Sequence, residues 1–387
     1  MRYVKYILVI LMLIYLKSNA QLKEFTFNGY IKDLYTFLTA DSIPGTNENN
    51  LYSNLIHNRL NFRWYPSQHF TFALEARNRL FFGNLIRKIP QYEEYIDNNR
   101  GVVDLSGSII SGNEWFLHSM IDRAWIDYIK GNWQFRAGRQ RINWGINLVW
   151  NPNDIFNTFS YFDFDYEERP GTDALKIQYY TGFTSSAELV YKIGKNINET
   201  AVAGMYRFSK FTYDFQFLGG WVGKDFVLGT GWTGDIKGGG FRGEASWFIP
   251  RNDEVDSDDA LVASVSIDYT FKNSLYLHGS ILFNTNDTTG KGGSRQLLFQ
   301  QDISVKNLSE GRWNLFGQIS YPFTPLFSGT ISGIMNPCDG SLFLGPALTY
   351  SLGNNLELMV TGQLLFGEKG TEYSGGKVLF GRLKWSF

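Results

Sequence analysis

The sequence predicts an all-β fold: a transmembrane, antiparallel, up-and-down β-barrel of about 18 strands, with about 16 as the alternative count, and an inward-folded third external loop. Three observations predict it. The chain ends on a strand with two faces, Lys377 to Phe387: Leu379, Leu383, Trp385 and Phe387 share one side, Arg382, Lys384 and Ser386 the other. The same period-2 alternation recurs over about ten residues at a time along the chain. Aromatic residues make up 17% of the chain, yet after Ala20 no apolar run reaches the roughly 20 residues that a spanning helix needs.

Taken in order, Arg2 and Lys5 precede an apolar run from Tyr6 to Leu16, and Ser18-Asn19-Ala20 offers small residues for cleavage. Residues 1–20 therefore read as a signal peptide, too short for a comfortable span. Residues 21–387 read as one barrel domain, with no linker and no plug segment before the first strand near residue 23. The single Cys, Cys338, cannot form an internal disulfide, and no Cys follows the cleavage site to carry a lipid anchor.

In the next strands Ile56, Asn58, Leu60, Phe62 and Trp64 alternate with His57, Arg59, Asn61 and Arg63. After a turn at Pro66-Ser67-Gln68, Phe70, Phe72, Leu74 and Ala76 alternate with Thr71, Glu75, Arg77 and Arg79. Later runs repeat the scheme, as in Leu261/Ala263/Val265/Ile267/Tyr269 against Ser264/Ser266/Asp268. Residues 84–116, 143–171, 285–310 and 367–376 read as external loops; 272–273, 322–325 and 353–355 read as periplasmic turns. Counting every alternating run gives about nineteen strands. Both termini belong on the periplasmic side, and this parity makes 285–310 a single loop and removes a strand at 297–307.

An uncapped apolar strand at a chain end is an aggregation hazard in a soluble sheet, whereas in a closed barrel it pairs with the first strand. A terminal aromatic, Phe387, in this setting looks like the signal by which such barrels are presented to the barrel-assembly machinery. The remaining partners expected are outer-membrane lipid, lipopolysaccharide and a solute. The net charge of −1 predicts no nucleic-acid partner.

Polar parity places Arg59, Arg63, Arg77, Arg79, Arg139, Arg141, Arg242, Arg382 and Lys384 in the lumen, against Glu75, Glu188, Asp214, Glu244, Asp268 and Glu357. Charges on a low-dielectric wall focus the field and favour ions of opposite sign. The other reading is that these arginines pair with carboxylates and brace the barrel.

The irregular run from Arg136 to Gly171 is rich in aromatics and ill suited to bulk water, so it is expected to pack inside the mouth. Asp154, Asp163, Asp165, Glu167 and Glu168 would then oppose the arginine wall and form an eyelet; a structural latch that narrows nothing is the alternative. The stretch Gly138-Arg139-Gln140-Arg141-Ile142-Asn143-Trp144-Gly145 with Asn151-Pro152-Asn153-Asp154, and the tail Glu368 to Tyr373, resembles the alginate-export-like barrels of Gram-negative bacteria and, more broadly, porin-like 18-stranded barrels of Bacteroidetes. The resemblance implies an arginine-lined conduit for anionic polymers or small solutes in the outer membrane. It does not carry alginate over as substrate.

No enzyme chemistry, cofactor or metal is expected. The His residues lack metal-ligand spacing, and Gly238-Gly239-Gly240 is a turn with no following helix. The acidic run Asp253 to Asp259 reads as a solvated external loop rather than a Ca²⁺ site. The function expected is a passive outer-membrane channel preferring anions or acidic saccharides. The alternative is a closed barrel with a surface polysaccharide-binding or structural role.

Overall fold

Strands with one apolar and one polar face need two different surroundings, and a ring of them supplies both without leaving an edge. A computed structural model of the chain describes residues 24–40, 48–89, 91–97, 101–158, 160–163, 169, 171–251, 258–287 and 304–387. The signal-peptide reading of 1–20, the candidate Asp165 with Glu167 and Glu168, and Asp253 to Ser257 lie outside the described residues.

The first quarter of the ring is β1 (Phe25–Thr39), β2 (Asn50–Ser67), β3 (Phe70–Phe82), β5 (Trp115–Lys130) and β6 (Trp133–Gln140), with β4 (Ser106–Ser111) beside it. β7 (Thr172–Tyr180), β8 (Ser186–Lys192), β9 (Ala201–Lys210), β10 (Tyr213–Val222), β11 (Asp225–Ile236) and β12 (Gly239–Pro250) follow. The ring continues through β13 (Ala260–Thr270), β14 (Tyr276–Asn284), β15 (Trp313–Thr324) and β16 (Phe327–Met335). It ends with β17 (Leu342–Gly353), β18 (Leu356–Phe366) and β19 (Lys377–Ser386). Every pairing is antiparallel, and β19 pairs with β1 to close the sheet. Eighteen strands form the closed barrel; β4 is extra.

At the seam Tyr30 opposes Ser386, and Phe387 exchanges backbone hydrogen bonds with Gly29 at 2.9 and 3.0 Å. A Cβ at Gly29 would stand 2.2 Å from the Arg59 carbonyl oxygen and 3.0 Å from the Phe387 ring. Only glycine fits where the last residue lies over the first strand.

The outer face is apolar and exposed, as with Phe27, Ile31, Phe62, Leu74, Ile281, Ile331, Leu379 and Trp385. An apolar band of that extent belongs in hydrocarbon. Among the described residues no helix is long and apolar enough to cross a membrane; crossing falls to the strands. Both termini share one end with short turns such as 131–132, 211–212, 237–238 and 354–355, and the long connections lie at the other end. The expected loop at 367–376 matches its observed bounds. The turn expected at 322–325 is shifted: β15 runs on through Pro322 to Thr324, and Pro325-Leu326 make the turn. Of the rejected strand at 297–307, the described residues carry a 3₁₀ turn at Val305–Asn307.

The connection from Gly83 to Glu114 was expected to be a plain loop. It holds two short helices, α1 (Asn84–Lys88) and α2 (Tyr92–Ile96), and then β4. β5 is flanked by β3 along one edge, so β4, opposite Phe116 to Met120, must occupy the other. β6 uses that same edge only from Ala124 to Lys130, since the chain leaves the wall after Gln140. β4 therefore completes the wall where β6 stops.

Candidate functional site

Alternate residues of each strand point inward. On β2 these are His57, Arg59, Asn61 and Arg63, and on β3 Glu75, Arg77 and Arg79. Cross-strand pairing sets Arg59 opposite Arg77, and directly opposed like charges are unfavourable unless something intervenes. Carboxylates do. Arg59 Nη2 donates to Glu75 Oε2 at 2.6 Å, and Nη1 donates to Asp122 Oδ2. Arg77 lies 3.8 Å from Asp122, while Arg123 and Arg63 lie 3.4 and 3.7 Å from Glu75. Four guanidinium groups thus gather on two carboxylates.

Asp122 and Arg123 were not singled out from the sequence, because consecutive residues of a regular strand face opposite ways. The β3–β5 register pairs Glu75 with Arg123 and Ala76 with Ile121, so Asp122 is the extra residue of a β-bulge. A bulge lets both side chains reach the inner face. Asp122-Arg123 amid an alternating run was the available signal.

Beside this cluster runs a basic rung. Lys384 on β19 opposes Lys32 on β1, Lys32 opposes His57, His57 opposes Arg79, and Arg79 opposes His118 on β5. Five neighbouring inward positions carry Lys, Arg or His, with no carboxylate among them. Tyr30 takes part of the load: the Lys32 and Lys384 ammonium groups lie 5.2 and 4.8 Å from its ring centroid, within cation–π range. At the far end His118 Nε2 lies 3.0 Å from Asp97 Oδ1. Burial opposes the Asp97 charge, but hydrogen bonds from Ser106 and His118 outweigh it and hold its pKa below the usual range. Lys32, wholly buried, also escaped the sequence reading.

The other predicted residues scatter. Arg382 Nη2 donates to Glu357 Oε1 at 2.6 Å, and Arg242 pairs with Asp268. Both are braced pairs at other points of the wall. Arg139 was expected to face the lumen, and the structure places it otherwise. It shares parity with Trp133 and Phe135, which are exposed on the outer face. There it pairs with Asp173 at 2.8 Å and donates to the Val103 carbonyl at 2.7 Å. The backbone N–H of Val102 donates to Asp173 at 2.8 Å, so the 101–103 segment covers an ion pair at the rim. Arg141 lies beyond the end of β6, not on a strand, and its buried Nε has no hydrogen-bond partner among the described residues.

From Arg141 the chain runs along the remaining wall. Trp144 Nε1 donates to Glu188 of β8 at 2.5 Å, and Gln216 of β10 donates to the Trp144 carbonyl at 2.7 Å. Asn153 Nδ2 donates to Thr230 of β11 at 3.0 Å, and Ser246 of β12 donates to Asn153 Oδ1 at 2.8 Å. Asn147 Nδ2 donates to Ser264 of β13 at 3.0 Å. Further on, Tyr161 and Phe162 meet the rings of Phe316 and Phe343 edge-on at 5.2 and 4.9 Å, and Gln363 of β18 donates to the Phe162 carbonyl at 2.7 Å. These contacts bury Trp144, Trp150 and Phe156 against β8 to β18, the side away from the basic rung.

Asp154 was expected to oppose the arginine wall. It is 1% exposed and accepts from Arg169 Nη1, of its own connection, at 2.9 Å. Arg169 in turn accepts from Arg123 Nη2 through its carbonyl at 2.7 Å, and this is where the segment reaches the wall cluster. Burial pushes the Asp154 carboxyl up to about 6, against the pull of Arg169 and Arg141. Asp163 is half-buried, and its N–H donates to Ser160.

At the loop end of β15 to β19, Glu372 is buried and accepts from Ser309, from the Glu310 N–H at 3.0 Å and from Asn336 Nδ2 at 2.8 Å. Burial raises its pKa despite these donors.

No protein-family profile matches the chain, and no curated protein does. Solved structures match its fold. The outer membrane protein OprD from Pseudomonas aeruginosa superposes with a TM-score of 0.60 at 9% identity, covering 95% of each chain. The BenF-like porin from Pseudomonas fluorescens Pf-5 gives 0.60 at 8% identity, over 95% of this chain and 100% of that one. OccK11 (OpdR) of Pseudomonas aeruginosa gives 0.58 at 8%, over 94% and 96%. At such identities the likeness is one of fold.

Proposed function

We propose that the chain is a porin-like channel of the Gram-negative outer membrane, passing small or polymeric solutes with a preference for anions or acidic saccharides. The basic rung from Lys384 to His118 carries this reading. Within it Lys384 and Lys32 are directly opposed cations, whereas His118 Nδ1 accepts from Arg79 Nη2 at 3.1 Å. Opposed like charges cost stability, and such a cost marks a wall built for something other than packing. The fold shared with OprD, the BenF-like porin and OccK11 supports the channel class. It supports a porin-like barrel in general, and the alginate-export likeness stays with the sequence motif.

In this reading the described residues of 141–163, hydrogen-bonded across β8 to β18, fill that side of the lumen and leave a passage along β19, β1, β2, β3 and β5. Arg63 and Lys384 face it, with Arg59, Arg77 and Arg79 buried in the wall behind, and Arg141 stands at the segment's edge with Asp154 buried beneath it. Purified protein in planar bilayers is expected to conduct, with reversal potentials in a salt gradient favouring anions; deleting residues 150–168 should enlarge the conductance. Cation-favouring potentials would refute the selectivity.

The second reading is a closed barrel holding surface polysaccharide or acting structurally. The burial of Trp144, Trp150 and Phe156 favours it, because a segment so firmly packed can also plug. Glycan binding to cells with no conductance from purified barrels would select it.

A further inference from the structure

Glu244 of β12 is a carboxylate 1% exposed, with no cation among the hydrogen-bond donors described for it. Three backbone N–H groups surround it: Ile146 and Asn147 donate to Oε1 at 2.5 Å each, and Asn153 donates to Oε2 at 2.9 Å. A carboxylate so cradled makes strong charge-assisted bonds, and the peptide dipoles stand in for a counter-ion. The donors come from both arms of the 146–153 turn, so one wall side chain gathers the turn at its base.

The neighbours in register are shaped for the same purpose. Gly231 opposes Glu244 on β11, and a Cβ there would come within 3.0 Å of the Ile146 and Asn153 side chains. Ser264 opposes Glu244 on β13 and receives Asn147. A glycine, a carboxylate and a hydroxyl on three adjacent strands make a seat. No nearby sequence feature announces it, since Glu244 and Asn147 are 97 residues apart.

We propose that Glu244 is a positioning residue that seats the 146–153 turn on the barrel wall and so sets the width of the passage beside it. The width rests on the channel reading; the seating does not. The two are therefore measured separately, with full-length protein in detergent for seating and in planar bilayers for width.

Hydrogen exchange reads the seat directly. Glu244→Ala orphans three buried donors, so the amides of Ile146, Asn147 and Asn153 should exchange about tenfold faster or more, while strand amides keep their protection. Glu244→Gln keeps the shape and one carbonyl oxygen, and should fall between the alanine variant and the native protein. It serves if the alanine variant fails to fold. In bilayers the unseated turn should give a larger, noisier conductance and admit larger neutral sugars.

A tether supplies a result that general destabilisation would not. In a Cys338→Ser background, Asn153→Cys with Ser246→Cys joins a pair now linked by a 2.8 Å hydrogen bond. Oxidising that pair in Glu244→Ala should restore the native conductance, and reduction should abolish the rescue. Unchanged amide exchange in both Glu244 variants would overturn the seating. Faster exchange with unchanged conductance would overturn the link to width and leave the channel reading intact. A silent native protein would instead sink the channel reading and the width with it, while exchange still decides the seat.

Discussion

Arg59 illustrates how a buried guanidinium is kept on this wall: it holds Glu75 and Asp122 at once. Removing one partner from a buried ion cluster costs about 3–5 kcal/mol. Arg59→Ala should therefore lower the detergent melting temperature far more than Arg63→Ala, whose side chain is exposed. Asp154 makes a different prediction. Its folded pKa, pushed up to about 6, lies above the unfolded value of about 3.9, so the folded chain binds this proton more tightly. Its contribution to stability falls as pH rises from about 4 to about 6 and is flat above. Protonation also removes a negative charge beside Arg141 and Arg169, so anion preference should rise as pH falls through about 6. Reversal potentials across that range check it, and Asp154→Asn should erase the step. Arg139 and Arg141 now part company. Arg141→Ala is expected to reduce anion selectivity, whereas Arg139→Ala should loosen the 101–103 segment, seen as faster exchange at Val102 and Val103, with selectivity unchanged.

At the scale of elements, strand phase was legible because outer residues are apolar and inner ones polar over ten positions or so. The reading failed where that contrast runs out. On β6 the outer row is Trp133, Phe135, Ala137 and Arg139, and nothing in the row says that a distant loop covers its last member. The bulge at Asp122 failed the same way, since one extra residue leaves no mark on composition. β4 was missed because Ser106-Gly107-Ser108-Ile109-Ile110-Ser111 does not alternate. A proline at Ser108 should break its pairing with β5, because proline cannot donate to a ladder. Limited proteolysis between residues 98 and 114, faster in Ser108→Pro than in the native chain, would report the release.

For the whole molecule, direction and count were legible from the two ends, because a barrel whose termini share a side has an even number of strands. The contacts that set the inner segment were not: Glu244 to Asn147 and Gln363 to Phe162 join residues 97 and 201 apart, and only closure brings them together. Closure itself depends on Gly29. Gly29→Ala sets a methyl group against the Arg59 carbonyl, and should lower the fraction of chains that reach the compact, heat-modifiable form on gels.

The single free edge of β5 above Ala124 has a consequence of its own. A strand edge accepts one partner, and β4 and a longer β6 would compete for the same five or so residues. The occupancy of that edge is therefore a binary variable. With β4 docked, the chain after Gln140 has no ladder to join and must turn away from the wall. With β4 displaced, residues 141–147 could zip up the vacated edge only by giving up Glu188, Gln216 and Glu244. Shortening the connection between β6 and β7 thus cannot be done alone: a hairpin built there would evict β4, and the two long loops have to be redesigned as one piece.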